Sequence, residues 1–120
     1  MAAPNIVNVA TITGKTTGAA LGTTLTTSLL ANSASSGKVF KINTIIVANV
    51  DGANAADATI EYYDGTTGYK LANTIAVPAD STLIVLSKDT AIYLQEGDSI
   101  RGGASAAGDL ECVISYEEIS

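Results

Sequence analysis

Three oxygen-bearing side chains lie within one short stretch of the sequence, Asp51-Gly-Ala-Asn54-Ala-Ala-Asp57. Carboxylate and amide oxygens are the ligands that calcium prefers, but the ion takes six or more of them. The spacing differs from that of an EF-hand loop, and Asp, Asn and Gly are also the ordinary residues of turns. We therefore expect a turn with no metal and no other cofactor, and calcium stays the alternative at Asp51, Asn54 and Asp57.

A second group of possible chemical residues is acidic and consists of Glu96, Asp98, Glu111, Glu117 and Glu118. Paired carboxylates hydrolyse glycosidic bonds, and an acidic β protein also suits carbohydrate binding. Sugar-binding proteins usually add a platform of aromatic rings, whereas this chain has no Trp, one Phe and five Tyr. We therefore interpret the acids as a solvated strand face with a charged end.

The third candidate is Cys112, the only cysteine of the chain. A nucleophilic cysteine needs a base, and the sequence contains no His. Cys112 shares its alternation phase with Leu110, Ile114 and Tyr116, which predicts a buried side chain. We expect a protein without catalytic residues, which is not an enzyme.

The composition of the chain limits the classes of partner that we expect. The length of 120 residues predicts a single domain over residues 1–120. The net charge of −6 disfavours nucleic acid as a partner. The longest apolar runs are about four residues, as in Ile45 to Ala48, far short of the roughly 20 that a membrane-spanning helix needs. We expect no membrane partner.

The chain alternates apolar and polar residues with a period of two, and turn residues recur every eight to twelve positions. This pattern predicts an all-β antiparallel sandwich, jelly-roll-like, with about eight or nine short strands. The stretch from Val39 to Val50 is the clearest strand. Its alternation predicts one face made of Phe40, Ile42, Ile46, Ala48 and Val50.

The N-terminal third differs in composition, because seventeen of the twenty-two residues from Thr16 to Gly37 are Thr, Ser, Ala or Gly. A disordered linker is one interpretation. We favour strands with a sparse buried face made of leucines, since Thr favours strands. Residues 1–37 would then form a possible N-terminal arm or interface strands that depend on a neighbour.

Apolar residues lie on both faces of two predicted strands, the one with Val39, Ile45 and Val47 and the one with Ile84 and Leu86. A sheet with one face in water does not need a second apolar face. Either both faces are covered within the monomer, or the second face contacts another subunit. We favour a homo-oligomer with a candidate subunit interface formed by Val39, Ile45, Val47, Ile84 and Leu86.

The segments SSGKVFKINTIIVANVDG, AVPADSTLIVL, IYLQEGDSI and GDLECVISYEEIS resemble a group of small β proteins of marine tailed phages, notably cyanophages. The resemblance covers roughly Ala31 to Ser120 and includes two turns, Val77 to Ser81 and Leu94 to Asp98.

This resemblance implies a virion structural protein, a multi-copy capsid decoration or cement subunit on the capsid surface that is made in the host cytoplasm. Its partners would be itself, as a homotrimer or another homo-oligomer, and the major capsid protein or another virion protein. The alternatives are a tail, neck or fibre component, or a carbohydrate-binding module.

Overall fold

Nine β-strands make up almost all of the regular structure in residues 10–120, the part of the chain that the computed structural model describes. One turn of 3-10 helix covers Lys88–Thr90, and no helix in this part of the chain is long and apolar enough to cross a membrane. The strands are β1 (Ile12–Ala20), β2 (Ser28–Ala31), β3 (Val39–Asn49), β4 (Ala56–Tyr63), β5 (Gly68–Val77), β6 (Thr82–Leu86), β7 (Ile92–Leu94), β8 (Ser99–Ala104) and β9 (Leu110–Ile119).

The strands form two antiparallel sheets that pack face to face. Sheet A has the order β1-β9-β3-β6, with β7 also paired to β3, and sheet B has the order β2-β8-β4-β5. The pairs are nested, because β1 meets β9, β2 meets β8, β3 meets β6 and β4 meets β5. This is the arrangement of a long hairpin folded over on itself, the jelly roll of two four-stranded sheets, with β7 as a short addition. The predicted all-β sandwich is confirmed.

The core lies between the two sheets and takes alternate residues of each strand. On β9 these are Leu110, Cys112, Ile114 and Tyr116, each at most 9% exposed, as the alternation predicts. Strand β9 lies between β1 and β3, so its acidic end belongs to an inner strand of the sheet and not to an edge.

At Asn43 of β3, the direction in which the later side chains point is reversed. The pairing with β9 slips by one residue between Ile42 and Thr44, which makes Asn43 the extra residue of a β-bulge. Because a slip of one residue reverses every later side chain, Ile45 and Val47 are 0% exposed. The predicted single face is thus correct for Phe40 and Ile42 and wrong for Ile46, Ala48 and Val50.

The N-terminal third is part of the sandwich from residue 10 onward. Strand β1 pairs with β9 over its whole length, β2 pairs with β8, and Leu21 is 1% exposed within the core. Leu29 and Leu30 pack against the core, whereas Leu25 is exposed. Residues 12–20 and 28–31 are thus strands of the sandwich, and residues 1–9 of the predicted arm or interface segment lie outside the described part of the chain. A contact of residues 10–37 with another subunit stays a prediction.

Replacing Ile114 with Ala should lower the free energy of unfolding by about 2–5 kcal/mol, because the change leaves a cavity at a site that is 1% exposed. The matched control is Val113→Ala on the same strand, where the side chain points outward and is 37% exposed. Its effect should stay within about 1 kcal/mol. Chemical denaturation monitored by circular dichroism measures both variants, and equal losses would contradict the assigned faces of β9.

Candidate functional surface

The loop considered for calcium is held by hydrogen bonds within itself. The Asp51 carboxylate accepts the backbone N–H of Ala53 at 2.8 Å and the side-chain amide of Asn54 at 3.3 Å. The Ala53 bond, followed by the Asn54 bond, lowers the pKa of Asp51. Asp57 belongs to β4 and donates its N–H to Ser105. Within residues 10–120, no group of three or more His, Cys, Asp or Glu side chains could hold a metal ion.

The acids near the C-terminus have separate partners. Glu118 accepts hydrogen bonds from the ammonium groups of Lys38 at 2.7 Å and Lys15 at 3.0 Å, and these bonds lower the pKa of its carboxyl group. Glu117 accepts the side-chain amide of Asn43 at 3.0 Å. Neighbouring strand residues point to opposite faces, so Glu117 and Glu118 do not form a carboxylate pair.

The remaining acids of that group shape turns or face water. Glu96 accepts the backbone N–H of Gly37 at 2.9 Å. Asp98 accepts the Tyr62 hydroxyl and the Gln95 N–H, both at 2.9 Å. Burial, followed by the bond to Asp98, raises the pKa of Tyr62 to about 12. Glu111 is exposed on the outer face of sheet A.

Cys112 is 2% exposed, and burial raises the pKa of its thiol to about 12. The thiolate is the reactive form of cysteine, so a thiol with this pKa is almost entirely protonated and inert at neutral pH. Cys112 therefore fills space in the core, as its alternation phase predicts.

The predicted subunit interface divides into two groups. Val39, Ile45, Val47 and Leu86 are at most 6% exposed, and Ile84 is 65% exposed. The first four are already covered within the monomer and have no face left for another subunit, which corrects the prediction for them. For Ile45 and Val47 the reason is the bulge at Asn43, and for Leu86 it is a second slip between β3 and β6 that makes Val85 an extra residue. Ile84 alone keeps the predicted position.

The same two bulges place a different set of apolar side chains on the outer face of sheet A. Ile84 pairs with Ile46, and Ile46 pairs with Val113. We name these three residues the outer apolar row. Ile84 is 65% and Val113 37% exposed, and Ile46 is half-buried. The row ends at Gly18 of β1, beside a shallow cavity of about 290 Å³.

A charged cluster on the outer face of sheet B is a feature that sequence reasoning missed. Glu61 is 5% exposed and lies between Lys70 of β5 and Arg101 of β8. Its carboxylate accepts the Lys70 ammonium at 2.8 Å and Arg101 Nε at 2.7 Å. The guanidinium also stacks 3.7 Å from the centre of the Tyr63 ring. The hydrogen bonds from Lys70 and Arg101 lower the pKa of Glu61 despite its burial.

The third surface feature is an aromatic cleft at the edge of the sandwich. Tyr62 and Tyr69 stack with ring centres 6.4 Å apart, and Tyr93 comes from the opposite sheet. With Leu71 and Ile92 they line a cavity of about 240 Å³ whose exposed lining is almost entirely apolar. Tyr69 is 57% and Tyr93 44% exposed. We name this feature the tyrosine cleft.

No protein-family model matches the chain, and no curated protein matches it. The surface features that could contact a partner or a ligand are the outer apolar row, the charged cluster and the tyrosine cleft.

Replacing Glu61 with Gln should lower the free energy of unfolding at pH 7 by about 1–3 kcal/mol, since Arg101 and Lys70 lose their charged acceptor. The folded-state pKa of Glu61 lies below the ordinary value of 4.5, so the ion pairs stabilise the fold above that pH. Their contribution falls as the pH drops through the folded-state pKa. The difference between wild type and variant should therefore shrink in acid.

Thermal unfolding between pH 3 and pH 8 makes this comparison. The control is Glu111→Gln, which removes an exposed carboxylate and should change stability by less than about 0.5 kcal/mol. A wild-type advantage that stays constant across this pH range would show that the Glu61 carboxylate is not the stabilising group.

Proposed function

We propose that this chain is a structural subunit of a tailed-phage virion, present in many copies on the capsid as a decoration or cement protein. The observation that carries the proposal is the outer apolar row. Ile84, Ile46 and Val113 cross three neighbouring strands on a face that nothing within residues 10–120 covers. A sheet face in water is normally polar, so an apolar row suits contact with another protein.

The surroundings of the row favour a large, flat partner. Most of the flanking outward positions are short and uncharged, and they include Thr16, Thr44, Ala48, Thr82 and Ser115. The exception is the exposed Glu111 of β9, which lies opposite Ala48. Short side chains lose little rotamer freedom when they are buried, whereas Lys and Arg lose much. A face of this kind can pack against a capsid shell with few long side chains to order.

The fold supports the proposal by analogy. Jelly rolls occur in viral capsid proteins, although they also occur in lectins and in enzymes. The two turns included in the resemblance to marine phage proteins are also turns in the structure. Pro78 to Ser81 connects β5 to β6 and has Asp80 at a φ of 57°. Gln95 to Asp98 connects β7 to β8 and has Gly97 at a φ of 89°.

The partners follow from this assignment. The row would contact the major capsid protein or another virion protein, and copies of the chain would contact one another. A tail, neck or fibre component would use the same kind of apolar contact with its neighbours. Immunogold labelling of intact virions distinguishes these positions, because a decoration protein labels the head and a tail component labels the tail.

A second candidate function is carbohydrate binding, which the tyrosine cleft favours. Exposed aromatic rings can stack against the apolar faces of sugars, and Tyr69 and Tyr93 are exposed on its two sides. The candidate ranks second because the lining is almost wholly apolar, whereas sugar hydroxyl groups need hydrogen-bond partners.

Replacing Ile84 with Lys should weaken binding to the capsid by about tenfold or more, because a charge would be desolvated in an apolar contact. The control is Ile75→Lys, the same change at an isoleucine of sheet B that is 42% exposed. Co-sedimentation with capsids of the phage that encodes the chain measures both. Equal binding of Ile84→Lys and wild type would refute the row as the capsid contact.

The carbohydrate alternative makes its own prediction about Tyr69. If the cleft binds sugars by stacking, Tyr69→Ala should abolish a sugar-dependent rise in melting temperature and Tyr69→Phe should keep it. Thermal shift against a panel of bacterial surface polysaccharides provides the measurement. No shift for the wild-type protein with any member of the panel would count against this alternative.

A further inference from the structure

Strand β1 is an edge strand with one neighbour among the described residues. It pairs with β9 from Ile12 opposite Ile119 to Ala20 opposite Glu111, and no strand formed by residues 10–120 lies on its other side. Eight of its nine residues are exposed. At about 3.3 Å per residue, the free edge is roughly 30 Å long.

The backbone groups that point outward can be identified from the pairing. Thr11 and Ser120 exchange two backbone hydrogen bonds, each 3.0 Å long. Antiparallel pairs alternate between bonded and non-bonded positions, so the odd-numbered residues of β1 bond to β9. The even-numbered residues therefore direct their N–H and C=O groups away from the sheet. These residues are Ile12, Gly14, Thr16, Gly18 and Ala20.

The other edges have features that discourage pairing, and β1 lacks them. Strands β2, β6 and β7 are only three to five residues long. Strand β5 is longer, but it slips register twice against β4 and has Thr74 in a left-handed conformation with φ 54°. Natural sheets protect their edges with short strands, bulges, prolines and charges. Strand β1 is long, pairs with β9 without a slip and contains no proline.

The side chains of β1 leave the edge accessible. Its one charged residue, Lys15, is engaged with Glu118 of the same chain at 3.0 Å. Most of the other side chains are Gly, Ala or Thr, which do not obstruct an approaching backbone. All twelve acids of the chain follow residue 50, so two copies can bring their β1 edges together without opposing acids on these strands, despite a net charge of −6.

We propose that two copies of this chain pair through β1, antiparallel and centred on Thr16, to form a two-fold symmetric dimer. In this register Thr16 meets its own copy, Gly14 meets Gly18, and Ile12 meets Ala20. Every outward-pointing residue then faces another outward-pointing residue, and about ten backbone hydrogen bonds can form. Lys15 lies opposite Thr17, so no like charges meet. A two-fold contact needs this kind of self-complementary surface.

The dimer goes beyond the proposed function and does not rest on it, because the purified full-length chain tests it without any phage component. Thr16→Pro is the informative variant. Proline removes the outward N–H of Thr16 and costs no bond to β9, so the monomer should stay folded. Thr16→Val is the matched control, which keeps the N–H and favours a strand.

Sedimentation velocity across a range of concentrations should show a concentration-dependent dimer for wild type and Thr16→Val. Thr16→Pro should need at least tenfold higher concentration to dimerise, with an unchanged circular dichroism spectrum. A wild-type protein that stays monomeric at every concentration would overturn the proposal. So would a Thr16→Pro variant that is folded and dimerises like wild type.

Hydrogen exchange of the wild-type protein gives a second test that needs no variant. In a monomer, the amides of Thr13, Lys15 and Thr17 bond to β9, while those of Gly14, Thr16 and Gly18 have no backbone partner in the described part of the chain. Dimerisation through β1 should slow exchange at Gly14, Thr16 and Gly18 as concentration rises. Fast exchange at these three amides in a sample that sediments as a dimer would assign the dimer to another surface.

Discussion

The β-bulge at Asn43, which reverses the inward and outward faces of β3, is the constraint on which the rest of the structure depends. Without the extra residue, the alternation that buries Ile42 would turn Ile45 and Val47 toward water. The bulge instead keeps both ends of β3 in the core, with Ile42, Ile45 and Val47 all at 0% exposure. It has a cost, because the buried Asn43 Oδ1 has no hydrogen-bond partner within the described chain. The Asn43 amide group is held by Glu117 at 3.0 Å, which anchors the bulge to β9.

The sequence predicts the strands and turns well because these depend on local chemistry. The alternation predicted about eight or nine short strands, and residues 10–120 form nine. The segment Leu94 to Asp98, expected to be a turn, is one, and its Gly97 has a positive φ. The phase of β3 could not be read in this way. Ile45, Ile46 and Val47 are consecutive apolar residues, so either phase gives an apolar face. Only the pairing with β9, almost seventy residues away, decides between them.

The candidate surfaces were predictable to a smaller degree, since each depends on several strands. Ile84 was expected on an outward apolar face and lies there. Its neighbours in the row are Ile46 and Val113, which are far away in sequence and adjacent only through the nested pairing. Glu61 is a similar case. Its position in β4 suggests an outward charge, but its burial follows from Lys70 and Arg101 on the two flanking strands.

The geometry of the jelly roll would let the two proposed contacts, the outer apolar row and the β1 edge, form at the same time. Pairing through the β1 edge would extend sheet A within its own plane, whereas the outer apolar row faces perpendicular to that plane. The row ends at Gly18 of β1, which has no side chain. In the proposed dimer, the two-fold axis through the paired β1 strands would be normal to the sheet, so both copies would present their rows on the same side. Two weak apolar contacts on one rigid unit bind a repeating lattice far more tightly than either alone, because the second contact is intramolecular. A protein with one small apolar row per copy therefore gains most from dimerising at an edge that leaves the row free.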